Sequence, residues 1–365
     1  MTVRRLPIAW LFALLCLILS TVAVVAQEIE DKTSLPKDAG LPLNVEFGVA
    51  FVDLLSFDEN AGTFRATVDL RLRWTDSRLR DEKPSSSTPP QTFTDKAAEQ
   101  KMRDIWIAPV IIANQHGAAS DSAYGLRIYS TGAVAIIHRI TADFDVNVDV
   151  GKFPFDRQHL VVEAKVDGLP LNQVALRFGQ AELDFSQASR DARIPGWSIG
   201  LVDLRTSPAL GWYNVPQARV FASLEVTRLP GLIVASIFIP LLASLLIPLL
   251  AMWLNRIEDG VFQVDTFELV NIIIGGLFAV IALNFTVYST YVVLADGDNT
   301  VNRLFALNYL ALAIALVVNI CFARFNVLAG WFGPWVQEQA YYVLMWLIPI
   351  VVLVLAATFL LTAYV

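Results

Sequence analysis

From Thr63 to Trp74 the chain alternates, with Phe64, Ala66, Val68, Leu70, Leu72 and Trp74 interleaved among Thr63, Arg65, Thr67, Asp69, Arg71 and Arg73. A period of two sends the sets to opposite faces, so the segment predicts a half-buried β-strand. Leu160 to Asp167 repeats the pattern, setting Leu160, Val162, Ala164 and Val166 against Glu163, Lys165 and Asp167, and Val220 to Thr227 is a third such run. No repeat and no helix long enough for a second soluble domain accompanies them, so the economical architecture is a β-sandwich. Asp81 to Gln100, rich in Ser, Pro, Thr, Lys and Glu, reads as a loop.

Beyond Thr227 the pattern changes to four uncharged stretches, Leu229 to Asn255, Leu269 to Ala295, Leu304 to Ala323 and Ala340 to Val365. Each reaches the ~20 residues that a helix needs to cross the hydrocarbon of a bilayer. Membrane helices are predicted at about 231–254, 266–292, 302–323 and 340–364. At the other end, Arg4 and Arg5 precede an apolar run from Ile8 to Val25, and Val24-Val25-Ala26 suits a cleavage site, so residues 1–26 read as a secretory signal. Export of residues 27–228 would set Arg256 and Arg324 inside and Asp296 and Asp298 outside, in line with the positive-inside tendency. The expected fold class is a β + α membrane protein: an N-terminal extracellular or periplasmic β-sandwich over 27–228, then a four-helix transmembrane domain over 229–365, seated in a cell membrane.

Composition sharpens this division. The chain is 55% hydrophobic, with a net charge of −7, and residues 229–365 hold only three Arg and seven Asp or Glu. An acidic chain without clustered Lys and Arg is no nucleic-acid partner. Cys16 and Cys321 lie in the signal and in a predicted membrane helix, so no disulfide, zinc site or catalytic thiol is expected. His116, His138 and His159 are scattered. Nothing suggests a metal, a cofactor or an enzyme.

The second membrane stretch carries its polar groups on one side. Taken at about 100° per residue from Asn271, Glu268, Gly275, Phe278, Ala282, Thr286 and Ser289 fall within an arc of roughly 80°, with Asn284 the exception at roughly 220°. Polar groups inside a bilayer face protein or water. The stripe therefore suggests a water-filled pathway. Interhelical hydrogen bonds for Asn271 and Ser289, and a carboxylate favouring a helix N-terminus for Glu268, explain the same residues.

Phe153-Pro154-Phe155-Asp156-Arg157-Gln158, preceded by Val148-Asp149-Val150, resembles the Phe-Pro-Phe-Asp-x-Gln loop of the pentameric ligand-gated ion channels. That superfamily includes the Cys-loop neurotransmitter receptors and their bacterial relatives. Other segments are similar in the same order: Trp74-Thr75-Asp76-Ser77-Arg78-Leu79, Trp106 to Pro109 with Asn114, Gly132-Ala133-Val134, and Arg228 with Pro240 at the entry to four helices. Val146 and Leu160 stand where animal receptors place the loop's cysteines, as in bacterial members. Trp106 to Pro109 is one residue longer than the usual pattern, and Leu294 to Thr300 has no Pro.

The resemblance implies a homopentamer in a lipid bilayer that conducts inorganic cations when a small-molecule or proton agonist binds between subunits. It assigns Glu268 to a charge-selecting ring and Asn271, Gly275, Thr286 and Ser289 to the pore wall, where the apolar Phe278, Ala282 and Phe285 are expected to form a gate that closes by dewetting. It implies that Phe153, Pro154, Phe155 and Asp156 meet Arg228 and either Asp58 or Glu59 where the two halves touch. Such a triad is either a switch with two arrangements or a plain interface salt bridge. For the ligand, Asp69, Ala113 and Asp167 stand where the family commonly has aromatics, which leaves Trp212 and Tyr213 as aromatic contacts. Asp69 and Asp167, on outward strand faces, suit a small cation, a divalent ion or protons, or are simply solvated carboxylates. The competing reading is a non-conducting, membrane-anchored extracytoplasmic sensor, which leaves the polar stripe unexplained.

Overall fold

The structure, a computed structural model, describes residues 31–36, 40–83, 88–255, 257–258, 261–295 and 297–364. The expected signal at 1–26 and the topology residues Arg256 and Asp296 lie outside the described residues.

The strands of the N-terminal half are β1 (Leu43–Asp58), β2 (Thr63–Thr75), β3 (Gln91–Thr94), β4 (Val110–Ile112), β5 (Gln115–Ile128), β6 (Ala133–Asp145), β7 (Arg157–Val166), β8 (Val174–Arg177), β9 (Trp197–Thr206), β10 (Ala209–Leu210), β11 (Pro216–Gln217) and β12 (Arg219–Arg228). They form a six-stranded sheet in the order β3-β5-β6-β2-β1-β8 and a four-stranded sheet in the order β4-β7-β12-β9, with β10 and β11 as a separate hairpin. The alternating residues explain the packing. Phe64, Ala66, Val68, Leu70, Leu72 and Trp74 of β2 join Leu160, Val162, Ala164 and Val166 of β7 and Val220, Ala222, Leu224 and Val226 of β12 in one core between the sheets. Asn114 ties the layers further: its amide donates to Asp145 O (2.8 Å) and Val161 O (2.7 Å), and its oxygen accepts from Glu163 N (2.8 Å).

The Trp-x-Asp-x-Arg segment is a structural knot. Trp74 meets Trp106 edge-on at 5.6 Å, and the fully buried Asp76 accepts from Arg78 N (3.1 Å), Nε (2.8 Å) and Nη2 (2.8 Å). Gly132, at φ +85°, closes over it, where a Cβ would stand 2.6 Å from Asp76 O. The expected loop at Asp81–Gln100 needs correction: it contains β3 and a helix, Asp95–Met102. That helix buries only Ala98, so it leaves no apolar stripe for a sequence reading to find.

Among the described residues, four helices are long and apolar enough to cross a membrane: Gly231–Trp253, Thr266–Thr290, Thr300–Arg324 and Pro334–Tyr364. The fourth begins six residues before the expected 340. Its polar Gln337 is buried and satisfied, donating to Phe322 O (3.0 Å) and Asn326 Oδ1 (2.9 Å) and accepting from Ala329 N (2.9 Å). In the first helix, a π-turn at Val234–Phe238 precedes Pro240. Before Pro248 the ladder tightens, with Leu245 N donating to Leu242 O at 3.2 Å. Leu241 O, freed by this shift, accepts from Ser244 Oγ (2.7 Å) and from Asn308 Nδ2 of the third helix (3.0 Å). Neighbouring side chains thus satisfy backbone that proline geometry has released inside the bundle.

Candidate functional site

Strand β12 ends at Arg228 and passes through Leu229 and Pro230 directly into the first membrane helix. The guanidinium lies where the two halves meet. Its Nε and Nη2 donate to Asp156 Oδ1 (2.6 Å) and Oδ2 (2.9 Å), and its Nη1 and Nη2 donate to Glu59 Oε1 (2.9 Å) and Oε2 (2.5 Å). Arg228 and Asp156 are almost wholly buried, at 3% and 2%, with Glu59 at 16%. The rings of Trp197 and Phe153 cover the cation at 4.2 and 4.9 Å. Burial works against the charge, but the hydrogen bonds to Glu59 and Asp156 outweigh it and raise the guanidinium pKa above its ordinary value. One cation between two carboxylates leaves an enclosed excess of one negative charge, and Gln158 Nε2 offsets part of it by donating to Asp156 Oδ2 at 2.6 Å.

Between the two acidic residues that the sequence left open, Glu59 supplies the partner. Asp58 is spent on the turn itself, accepting from Asn60 N and Ala61 N, both at 3.0 Å. The next residue, Asn60, escaped the sequence reading. Its Nδ2 donates to Thr290 O (3.2 Å) and its Oδ1 accepts from Val293 N (3.1 Å), which clamps the outer end of the second membrane helix. An Asn ahead of Gly62 signals only a turn, because its partners lie far off in the chain.

The Phe-Pro-Phe-Asp loop closes on itself without cysteines. Gln158 Nε2 donates to Asp149 O (2.6 Å), and Asp149 N donates to Gln158 Oε1 (3.0 Å). Leu160 is buried in the sandwich core, with Val146 packed against it. Phe153 and Pro154 are buried. Phe153 lies 6.4 Å from Phe238 in the first helix and 5.9 Å from Tyr291 just past the second, while Phe155 meets Tyr364 at the end of the fourth helix edge-on at 5.5 Å. One loop therefore touches three of the four helices.

The second helix opens with Asp265, whose carboxylate accepts from Phe267 N at 3.0 Å, and Glu268 sits in its first turn. It covers one side only. Leu269, Ile273, Gly276, Val280 and Val287 are buried, spanning roughly 140–200° on the wheel that starts at Asn271. Glu268, Asn271, Gly275, Phe278, Ala282, Phe285, Thr286 and Ser289 are all exposed on the opposite side of the protomer. A Cβ on Gly275 would meet nothing within 4 Å, whereas one on Gly276 would stand 2.7 Å from Ile247. Thr286 and Ser289 turn their hydroxyls back on Ala282 O and Thr286 O, both at 2.9 Å. Glu268 and Asn271 have no side-chain partner among the described residues.

The expected ligand residues do not come together. Asp69 is buried, contrary to its outward period, because Arg139 across β2 and β6 grips it with two hydrogen bonds of 2.7 Å. This corrects the expectation of a carboxylate open to a ligand. Asp167 is exposed on the other sheet, just past β7, with its N–H on Pro109 O at 2.8 Å. Trp212 and Tyr213 stand at the tip of the β10–β11 hairpin, 83% and 97% exposed. The histidines stay apart: His116 pairs with Asp145 (2.9 Å), His138 stacks on Tyr124 (4.3 Å) with its pKa lowered by burial, and His159 meets Ser223 (3.3 Å).

Residues 26–229 match the family described as the neurotransmitter-gated ion-channel ligand binding domain. Among curated proteins, the chain is similar to a protein named "Proton-gated ion channel" from Gloeobacter violaceus, with 24% identity over 230 residues, 63% of this chain and 61% of that protein. It is also similar to proteins named "Gamma-aminobutyric acid receptor subunit pi" from Rattus norvegicus and Bos taurus. Each is 27% identical over 143 residues, 38% of this chain and 31% of the receptor subunit. The match thus spans about three-fifths of the first relative's length and about a third of the receptor subunits'.

Proposed function

The chain belongs to the neurotransmitter-gated ion-channel family, and from that premise we propose that it is a ligand-gated, cation-selective channel assembled from five identical chains. The observation that carries this reading is the uncovered side of the second membrane helix. It holds a carboxylate and an amide without partners among the described residues, directly opposite the face the bundle buries. Five such faces around an axis would enclose water, with Glu268 as a ring of carboxylates at the inner end and Phe278, Ala282 and Phe285 as an apolar constriction that closes by dewetting.

Ligand and pore would communicate along one extended segment. The β10–β11 hairpin that presents Trp212 and Tyr213 runs directly into β12, which at ~3.3 Å per residue carries roughly 30 Å from Arg219 to Arg228. A small cation or protons acting near Asp167, Trp212 and Tyr213 would shift this strand. Arg228 would then bias Glu59, Asp156 and Phe153, of which Phe153 lies against the first helix and the end of the second. The similarity to a protein named as proton-gated supports the acid arm of this reading.

The test is ion flux and reversal potential from purified protein in planar bilayers, with pH and small amines varied. The wild type is expected to pass Na⁺ and K⁺ over Cl⁻, and Glu268→Gln to reduce that preference on the order of tenfold. An unchanged preference removes Glu268 from the filter, and absence of flux under every condition favours the non-conducting sensor.

A further inference from the structure

Strand β8 is the edge of the six-stranded sheet, as β9 is of the four-stranded one. Between β8, the end of β9 and the start of β12 lies a cavity of about 220 Å³. Pro42, Leu171 and Ala175 line one wall, and Thr206, Ser207 and Pro208 the other; Asp69, Asp167, Trp212 and Tyr213 do not border it. At ~30 Å³ per water the space equals roughly seven waters, enough for one small organic molecule.

Strand register leaves part of β8 unpaired. It runs parallel to β1, with Val174 opposite Leu43 and Leu176 opposite Val45. Leu43 N donates to Gln173 O at 2.8 Å, and in such a ladder only alternate residues turn their peptide groups to the neighbouring strand. Ala175 is therefore spent on β1, while Val174 and Leu176 turn theirs to the free edge. Val174 N donates to Pro170 O at 3.2 Å, but Leu176 N–H and C=O have no partner among the described residues. The Leu176 side chain is buried in the core, so what the residue shows to the cavity is this peptide edge. A donor and an acceptor that the fold leaves unmet beside a cavity form a template for one more extended residue.

The charge of the walls selects what that residue is. Arg177 and Arg219 line the cavity with no carboxylate beside them. Arg219 is committed, donating from Nη1 to Glu163 (3.0 Å), from Nε to Ser207 O (3.2 Å) and from Nη2 to Pro208 O (3.4 Å). Arg177, next to the unmet peptide edge, is exposed and has no partner among the described residues. Glu46 stands opposite it on β1 but lies against Arg73 Nε at 3.6 Å.

We propose that this cavity binds an N-acylated apolar amino acid in extended form. The ligand's amide N–H donates to Leu176 C=O and one carboxylate oxygen accepts from Leu176 N–H, the double exchange of an antiparallel hydrogen-bonded pair. The Arg177 guanidinium takes the second oxygen. Acylation matters because a free ammonium would stand among arginines, whereas an amide keeps the donor without the charge. The apolar parts rest against Leu171, Ala175 and Pro208. This binding is independent of whether the chain conducts, since it is read at equilibrium.

The probe is N-acetyl-L-valine, titrated by calorimetry into the purified full-length protein in detergent. It is expected to bind and to slow hydrogen exchange at the Leu176 amide. Two analogues are each expected to bind at least tenfold more weakly: the ester 2-acetoxy-3-methylbutanoate, which lacks the N–H, and N-acetyl-L-valinamide, which lacks the charge. Arg177→Gln, which breaks no contact among the described residues, is expected to weaken N-acetyl-L-valine at least tenfold with an unchanged melting temperature. Failure to bind at millimolar concentration, equal binding of either analogue, indifference to Arg177→Gln, or unchanged exchange at Leu176 would overturn the proposal.

Discussion

The second and fourth membrane helices are both poorly covered within one protomer. Only 22% and 17% of their most apolar stretches are buried, against 44% and 50% for the first and third. Their open faces differ in chemistry. The fourth presents Val343, Trp346, Leu347, Ile350, Val351, Leu353 and Val354, and its Thr358 and Thr362 hydroxyls bond back to its own carbonyls. The hydroxyls of the second helix do the same, so they do not set it apart; its exposed carboxylate, Glu268, does, since Glu338 of the fourth is half-buried. Exposure by itself is thus ambiguous; on the proposed reading the exposed Glu268, without a side-chain partner among the described residues, is what turns this face to water and not to acyl chains. The two helices also differ in how they reach the sandwich, one through the buried Phe153 on Tyr291 and the exposed Asn60 on Thr290 and Val293, the other through the Phe155–Tyr364 ring contact at its end.

The sharpest way to break this contrast is at Arg228. Arg228→Ala removes the guanidinium from a pocket that keeps Asp156 and Glu59, which is expected to cost about 3–5 kcal/mol and to abolish ligand-driven opening. Chemical denaturation of the purified protein and flux from liposomes read the two effects separately. If opening survives in the folded variant, the second helix is not driven through this cluster.

Next in size is a paired insertion of charge. Ile350→Asp sets a carboxylate on the open face of the fourth helix at mid-membrane and is expected to destabilise by about 2.5–3.5 kcal/mol. Gly275→Asp on the open face of the second, where a Cβ meets nothing within 4 Å, should cost under about 1 kcal/mol, because a wetted carboxylate keeps its hydration. Thermal melting after reconstitution compares them, and equal losses would mean that both faces meet lipid. The adjacent glycines make a smaller version within one helix. Gly276→Ala drives a Cβ into Ile247 and is expected to cost about 1–3 kcal/mol, whereas Gly275→Ala, facing open space, should be neutral or stabilise by up to about 1 kcal/mol through helix propensity.

What the sequence reveals depends on how local the cause is. Strands β2, β7 and β12 are legible because each carries its own alternation, and the open arc of the second helix follows from a period of 3.6. Choices made across the fold are not legible. Asp58 and Glu59 are neighbours of like charge, and only turn geometry decides which one is left for Arg228. Asp69 follows the outward period of β2, yet Arg139, seventy positions on, covers it. Asn60 and the helix at Asp95–Met102 carry no periodic mark at all.

The smallest expected effect lies at the far end of the fourth helix. Tyr364 is largely exposed and touches Phe155 edge-on, a geometry worth about 0.5–1.5 kcal/mol beyond simple area burial. Tyr364→Ala should therefore lower stability by about that amount. If the second helix is moved by the buried cluster and the fourth merely leans on its edge, the agonist or pH concentration for half-maximal flux should shift less than about threefold, which corresponds to about 0.65 kcal/mol. A shift as large as that of Arg228→Ala would make the fourth helix an equal carrier of the gating signal, and the division between the two uncovered helices would fail at their outer ends.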